Sequence, residues 1–234
     1  MAIARNSTSQ GGLNDGYNLT YTHTIAGSDT LLIVEVQRND DSTISGVTFN
    51  GTAMTKLAET GTSRRTETWG LLNPAIGTHN IVVSGSPSEY SVWSMAVSYT
   101  GVLQSALPSE ITSNTATAGS PFSLDLTSSV DGCWSYMGSS SQATTTSSDT
   151  LVAGLGDGRK VADSNGSIGN SGTNKVMSLT FTGTPVTSAN MLLIKPSIAS
   201  GPANLKTILG LPTASAKTVN GLAIASVKTI NGLS

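Results

Sequence analysis

Charge is scarce in this chain of 234 residues: Asp, Glu, Lys and Arg together make 11%, against a usual share of about 25%. The net charge is −2. No basic field exists to hold phosphates, which speaks against DNA or RNA as a partner. Cysteine occurs once, at Cys133. That excludes an intrachain disulfide and a cysteine-based metal site. Beside Trp134, Cys133 reads as a small buried hydrophobe. Aromatic residues make only 5%, so a sizeable core claims most of them. No apolar run approaches the ~20 residues of a bilayer-spanning helix. The opening MAIARNSTSQGG has no apolar h-region, so no secretory leader is expected. No stretch of 12 residues carries a capped helical period.

What is present is hydroxyl. Ser and Thr make about 29% of the chain, with 25 Gly and 37% hydrophobic residues. That is enough apolar material for a real core. A surface of hydroxyls and amides suits extracellular and virion β proteins. Period-two alternation begins at Tyr17, where Tyr17, Leu19, Tyr21, His23 and Ile25 alternate with polar residues. Strands are expected near residues 31–36, 44–49, 54–59, 65–72, 80–84 and 91–99. A second series is expected near 121–126, 132–137, 150–153, 176–182 and 189–195. Asn50-Gly51 is a hairpin signal. Residues 138–148 and 154–174 read as long polar loops. Many short strands at even spacing point to an all-β, antiparallel sandwich of jelly-roll type. The expected organisation is an arm over 1–16, one sandwich over 17–195, a linker over 196–204 and a β-rich tail over 205–234.

The tail repeats with a period of 11. Lys206, Lys217 and Lys228 align, as do Gly210, Gly221 and Gly232. Each unit reads as a short Lys-Thr-Ile/Val strand followed by a tight turn, with Asn-Gly in the last two copies. A unit this short cannot bury its own apolar positions. Ile208, Leu211, Val219, Leu222, Ile230 and Leu233 are therefore expected to form an assembly interface with other chains, most simply in a homotrimer. The aligned lysines stay in solvent, where they discourage uncontrolled pairing.

Three stretches carry a resemblance: residues 49–61 (FNGTAMTKLAETG), 66–84 (TETWGLLNPAIGTHNIVVS) and 94–102 (SMAVSYTGV). Together with the KTINGL tail they resemble jelly-roll structural proteins of phage virions, of the capsid-decoration, head-fibre or tail-fibre type. The resemblance implies a non-enzymatic protein on the virion surface. It would be made in the host cytoplasm and be partnered by its own copies and by capsid or fibre-base proteins. Neither catalytic residues nor a cofactor are implied.

Other chemistries were weighed on their residues. His23 and His79 are the only histidines, and no G-x-S-x-G elbow supports a Ser-His-Asp triad. Glu35, Glu59, Glu67, Glu89 and Glu110 would have to face one another in a pair to act as a polysaccharide-degrading enzyme. Asp163, Asn165 and Gly166 echo a calcium loop but lack its closing Glu, so a turn is the better reading. Asn39, Asp40 and Asp41 read as a solvated turn. A receptor- or glycan-binding module is the main alternative function, with Tyr90 and Tyr136 as exposed aromatic contacts beside polar loops.

Overall fold

The structure, a computed structural model, describes residues 1–13, 18–39, 44–85, 92–117, 120–143, 146–155 and 158–197, together with four two-residue strands of the tail. All regular structure in it is β. Ala2–Ser197 forms one compact unit, and Ile198–Ser234 with Met1 forms another.

The first half of the large unit contains nine strands. They are β1 (Ala4–Leu13), β2 (Asn18–Ile25), β3 (Leu31–Arg38), β4 (Gly46–Phe49), β5 (Thr52–Ala53), β6 (Thr55–Thr60), β7 (Arg65–Leu72), β8 (Gly77–Ser84) and β9 (Val92–Thr100). One sheet runs β1-β9-β3-β7-β6 and the other β2-β8-β4-β5. Consecutive strands cross between the two antiparallel sheets except at the β4–β5 and β6–β7 pairs, which is the jelly-roll order with β6 added at one edge. Leu32, Val34, Phe49, Trp69, Ile81 and Ala96 fill the space between them. Asn50 and Gly51 take positive φ of 50° and 76° in the β4–β5 connection. The Asn-Gly signal marked this type I′ hairpin, whose two turn residues both need φ > 0.

The second half repeats the scheme. Its strands are β10 (Ile111–Thr117), β11 (Phe122–Thr127), β12 (Trp134–Ser141), β13 (Thr146–Ser147), β14 (Thr150–Leu155), β15 (Arg159–Asp163), β16 (Asn174–Thr180) and β17 (Val186–Ile194). The sheets run β10-β17-β12-β15-β14 and β11-β16-β13. Substituting β10 for β1, β17 for β9, β12 for β3, β15 for β7 and β14 for β6 turns one five-stranded order into the other. The smaller sheets correspond likewise, without a partner for β5. Phe122, Met137, Met177, Leu179, Met191 and Leu193 form this second core.

The single sandwich expected over 17–195 is therefore two. The expected arm over 1–16 contains β1, an edge strand of the first roll. The two five-stranded sheets pack face to face, giving a stack of four sheets. A third core lies between these inner sheets, with Ile33, Val97, Tyr99, Trp134, Leu192 and Ile194 among its members. This is why β3 and β12 are buried at every position. One face of each meets its own roll and the other meets the opposite roll. β6 lies against β10, and β1 lies against β14. Under the strand correspondence those two contacts exchange. The rolls thus meet as the halves of an isologous dimer would, about a pseudo-two-fold axis within one chain.

In the tail, β18 (Thr207–Ile208) pairs with β19 (Leu211–Pro212), and β20 (Thr218–Val219) pairs with β21 (Leu222–Ala223). Ile208 opposes Leu211 and Val219 opposes Leu222. The two hairpins have identical registers displaced by 11 residues. The third copy, with Ile230 and Leu233, lies outside the described residues, as do the side chains of the first two.

Candidate functional site

The polar chemistry of the large unit gathers at the inner-sheet interface and along its margins. The third inward position of β3 is Glu35, and the third inward position of β12 is Gly138. They meet at the pseudo-axis: a Cβ on Gly138 would lie 2.1 Å from Glu35 Cδ. Two opposed carboxyls would neither fit nor tolerate each other's charge, so one side of the duplicated scheme is glycine. Glu35 Oε2 accepts from Thr68 Oγ1 at 2.8 Å and from the Tyr136 hydroxyl at 3.2 Å. Asn190 Nδ2 donates to Thr68 Oγ1 at 3.1 Å, and Gln37 Nε2 donates to the Ser139 carbonyl at 2.6 Å. Burial holds the Glu35 carboxyl well above the usual carboxylate range, and the nearby Glu67 charge adds to the shift.

Tyr136 is thus not an exposed glycan contact. It is fully buried, because the second roll turns this face onto the first. Tyr90, the other expected contact, lies outside the described residues. The remaining aromatics behave as the low count suggested. Trp69 packs inside the first roll, Trp134 meets Tyr99 edge-on at 6.1 Å, and Trp93 stacks on the Arg159 guanidinium at 3.3 Å. Cys133 is buried, and burial pushes its thiol pKa up.

The upward shift that burial gives Glu35 makes stability depend on pH. The Glu35 pKa in the folded protein exceeds its unfolded value of about 4.3, so between those two values the folded state holds the extra proton. Stability is greatest below the unfolded value and falls as pH rises through that window. Glu35→Gln keeps an acceptor for Thr68 and Tyr136 and removes the titration. The melting-temperature advantage of the variant should therefore be larger at pH 8 than at pH 4.5. A difference that stays constant across that range would show that Glu35 does not titrate as the buried geometry requires.

The two histidines, distant in sequence, are direct cross-strand partners on β2 and β8, and both meet Phe49 edge-on. His23 is buried among serines. Its Nδ1 lies 2.8 Å from Ser9 Oγ, and its Nε2 lies 3.0 Å from Ser98 Oγ and 3.2 Å from Ser7 Oγ. Ser7 donates to the Thr24 carbonyl and Ser98 to Asn6 Oδ1. The network therefore places the ring proton on Nε2 and leaves Nδ1 to accept from Ser9. Desolvation lowers the His23 pKa to about 4, so the ring is neutral at pH 7. Among the described residues serine hydroxyls meet both ring nitrogens, and neither nitrogen meets the carboxylate that a triad needs to orient its histidine.

Among the described residues one pair of the carboxylates considered for hydrolysis does come together: Glu59 and Glu67 are direct cross-strand partners on β6 and β7, and they share Lys56 as counter-ion. Glu35 and Glu67 lie on adjacent strands but point to opposite faces of the first inner sheet. Lys56 bridges Glu59 and Glu67 at 2.5 and 2.8 Å, and Glu110 pairs with Lys195 at 2.9 Å. Glu89 lies outside the described residues. Asn39 Oδ1 accepts from Arg64 and Arg159, while Asp40 and Asp41 lie outside the described residues. Among the described residues no group of three or more His, Cys, Asp or Glu side chains is placed to hold a metal ion.

Asp163 ends β15 with both oxygens filled. Oδ1 accepts from Arg5 Nη2 at 2.6 Å and from the Asn165 backbone N–H at 2.9 Å. Oδ2 accepts from Arg5 Nε and from the Tyr99 hydroxyl, each at 2.9 Å. The bidentate bond to Asp163 raises the Arg5 pKa further. Asn165 turns the chain at φ 46°, as the turn reading of this segment expected.

Arg5 also borders a groove of about 530 Å³ along the seam between β1 and β14. Ile3, Trp134 and Val152 form its apolar side, with Arg5, Asn6, Thr8 and Asn165 as polar members. Two strand irregularities shape it. The register of β1 skips Asn6, and that of β14 skips Val152. Such bulges re-aim a side chain out of the ladder. No signal in the sequence marked this groove, because each roll supplies only part of it.

Comparison with protein-family models, with curated proteins and with solved structures returns no match.

Proposed function

We propose that the protein is a non-enzymatic structural component of a phage virion surface, a decoration or short fibre, assembled through its C-terminal repeats. The carrying observation is the pair of hairpins at Thr207–Pro212 and Thr218–Ala223, identical in register and 11 residues apart. A hairpin with two paired residues per arm has no stability alone. Each unit offers an aliphatic pair, Ile208 with Leu211 and Val219 with Leu222, and burying a Leu, Ile or Val stabilises by roughly 1.5–3 kcal/mol. Other chains are the natural cover, with a homotrimer as the simplest closed assembly. Ile230 and Leu233 extend the same pattern. The large unit fits the role of the displayed body. Its buried acid, guanidinium and phenol groups are engaged in joining two rolls into one stiff block.

Truncation after Asn204 tests the proposal. The shortened chain should keep its β-type circular dichroism, fall from trimer to monomer by light scattering, and no longer bind particles. Unchanged mass together with unchanged particle binding would remove the repeats as the assembly device.

A further inference from the structure

We infer that the seam groove between β1 and β14 is a binding site for a neutral saccharide. The pseudo-two-fold supplies an internal comparison. The equivalent margin, between β6 and β10, is bridged by a hydrogen bond at 2.9 Å between the Thr60 and Thr115 hydroxyls. There β6 skips Leu57, the counterpart of Val152 on β14. β10, by contrast, keeps an unbroken register where its counterpart β1 bulges at Asn6. The two margins thus differ at the β1 bulge at Asn6, and the groove lies along the margin that has it.

The lining has the two halves of a sugar site. Val152, with the narrow exposed edges of Ile3 and Trp134 (5% and 8% exposed), gives an apolar strip for the C–H face of a pyranose ring. Arg5 Nη1 and the amide N–H groups of Asn6 and Asn165 give planar donors for its hydroxyls, while Asn6 Oδ1 already accepts from the Ala26 N–H and the Ser98 hydroxyl, and Asn165 Oδ1 from Arg5 Nη2. Arg5 is held rigid before any ligand arrives, because Asp163 fixes Nε and Nη2. Among the described residues its Nη1 has no partner, which leaves two N–H donors in a fixed plane. Preorganised donors lose little rotamer freedom on binding. The Asp163 carboxylate cancels the Arg5 charge, so the site offers direction without net attraction for anions. That selects hydroxyls over carboxylates or phosphates. The inference concerns the large unit alone and stands apart from the role of the tail.

The test uses the full chain on a printed panel of neutral hexose and uronic-acid oligosaccharides, with each hit titrated calorimetrically. A neutral oligosaccharide should bind. Thr8→Trp, an exposed position whose larger side chain fills the groove, should weaken that binding at least tenfold at an unchanged melting temperature. Asn165→Gly, which keeps the positive φ and removes the amide, should weaken it severalfold. The inference is overturned if no neutral member of the panel binds, if only uronic acids bind, or if Thr8→Trp binds as the parent does.

Discussion

Asp163→Ala is expected to lower the melting temperature by about 6–12 °C. The carboxylate joins β1 and β9 of the first roll to β15 of the second, through Arg5 and the Tyr99 hydroxyl. Removing one partner of a buried ion pair costs about 3–5 kcal/mol, because the other charge is left without compensation. Here Arg5 keeps about a quarter of its side-chain surface in solvent, so the lower figure, about 3 kcal/mol, is appropriate. For a chain of this size each kcal/mol moves the midpoint by about 2–4 °C. Asn is a poor replacement at this site. All four bonds to Asp163 come from donors, and an amide NH2 would face two of them. Asp163→Asn should therefore recover less than half of the loss. Thermal denaturation followed by circular dichroism decides the matter. A shift below 2 °C for the alanine variant would mean that the contact between rolls does not depend on this carboxylate.

The strands legible in the sequence were those with an apolar alternation or an apolar run, such as β2, β3, β9 and β17. Those that were missed carry polar residues where an isolated sandwich would carry apolar ones. β1 (ARNSTSQGGL) sends Ser7 and Ser9 to His23 and keeps glycine at position 11, where a Cβ would lie 2.7 Å from the Tyr21 ring. β15 (RKVAD) buries Arg159 against Trp93 and Asp163 against Arg5. Such residues read as loop until their partners on the other roll are known. The same cause hid the duplication. Equivalent inner strands share position but not residue type: LLIVEVQR in β3 corresponds to WSYMGSSS in β12. Tyr136 was misplaced for the related reason that alternation within one strand cannot reveal a second sheet covering its other face. The groove draws on β1, β12 and β14, and no local pattern joins them.

Gly138→Ala is the second substitution expected to have a large effect, and its sign runs against the usual rule. Replacing glycine in a strand interior normally stabilises by about 0.5–1 kcal/mol. At this position the added Cβ would lie 2.1 Å from Glu35 Cδ and 2.2 Å from Glu35 Oε2. The Glu35 side chain is fully buried and tied to Thr68 and Tyr136, so retreat means abandoning both hydroxyls. Overpacking costs about 1–3 kcal/mol, and two buried hydroxyls left without an acceptor add to it. A total of about 3 kcal/mol corresponds to a fall of about 6–12 °C. The clash predicts strong coupling. In a Glu35→Ala background the obstacle is gone, and Gly138→Ala should then be near neutral or stabilising as its methyl fills part of the vacated space. The interaction energy of the double-mutant cycle should favour the double variant by about 2–3 kcal/mol, at the upper end for residues in contact. Equal costs of Gly138→Ala in both backgrounds would place the strain in the β12 backbone instead. The axis of the duplicated scheme would then not be where Glu35 and Gly138 meet.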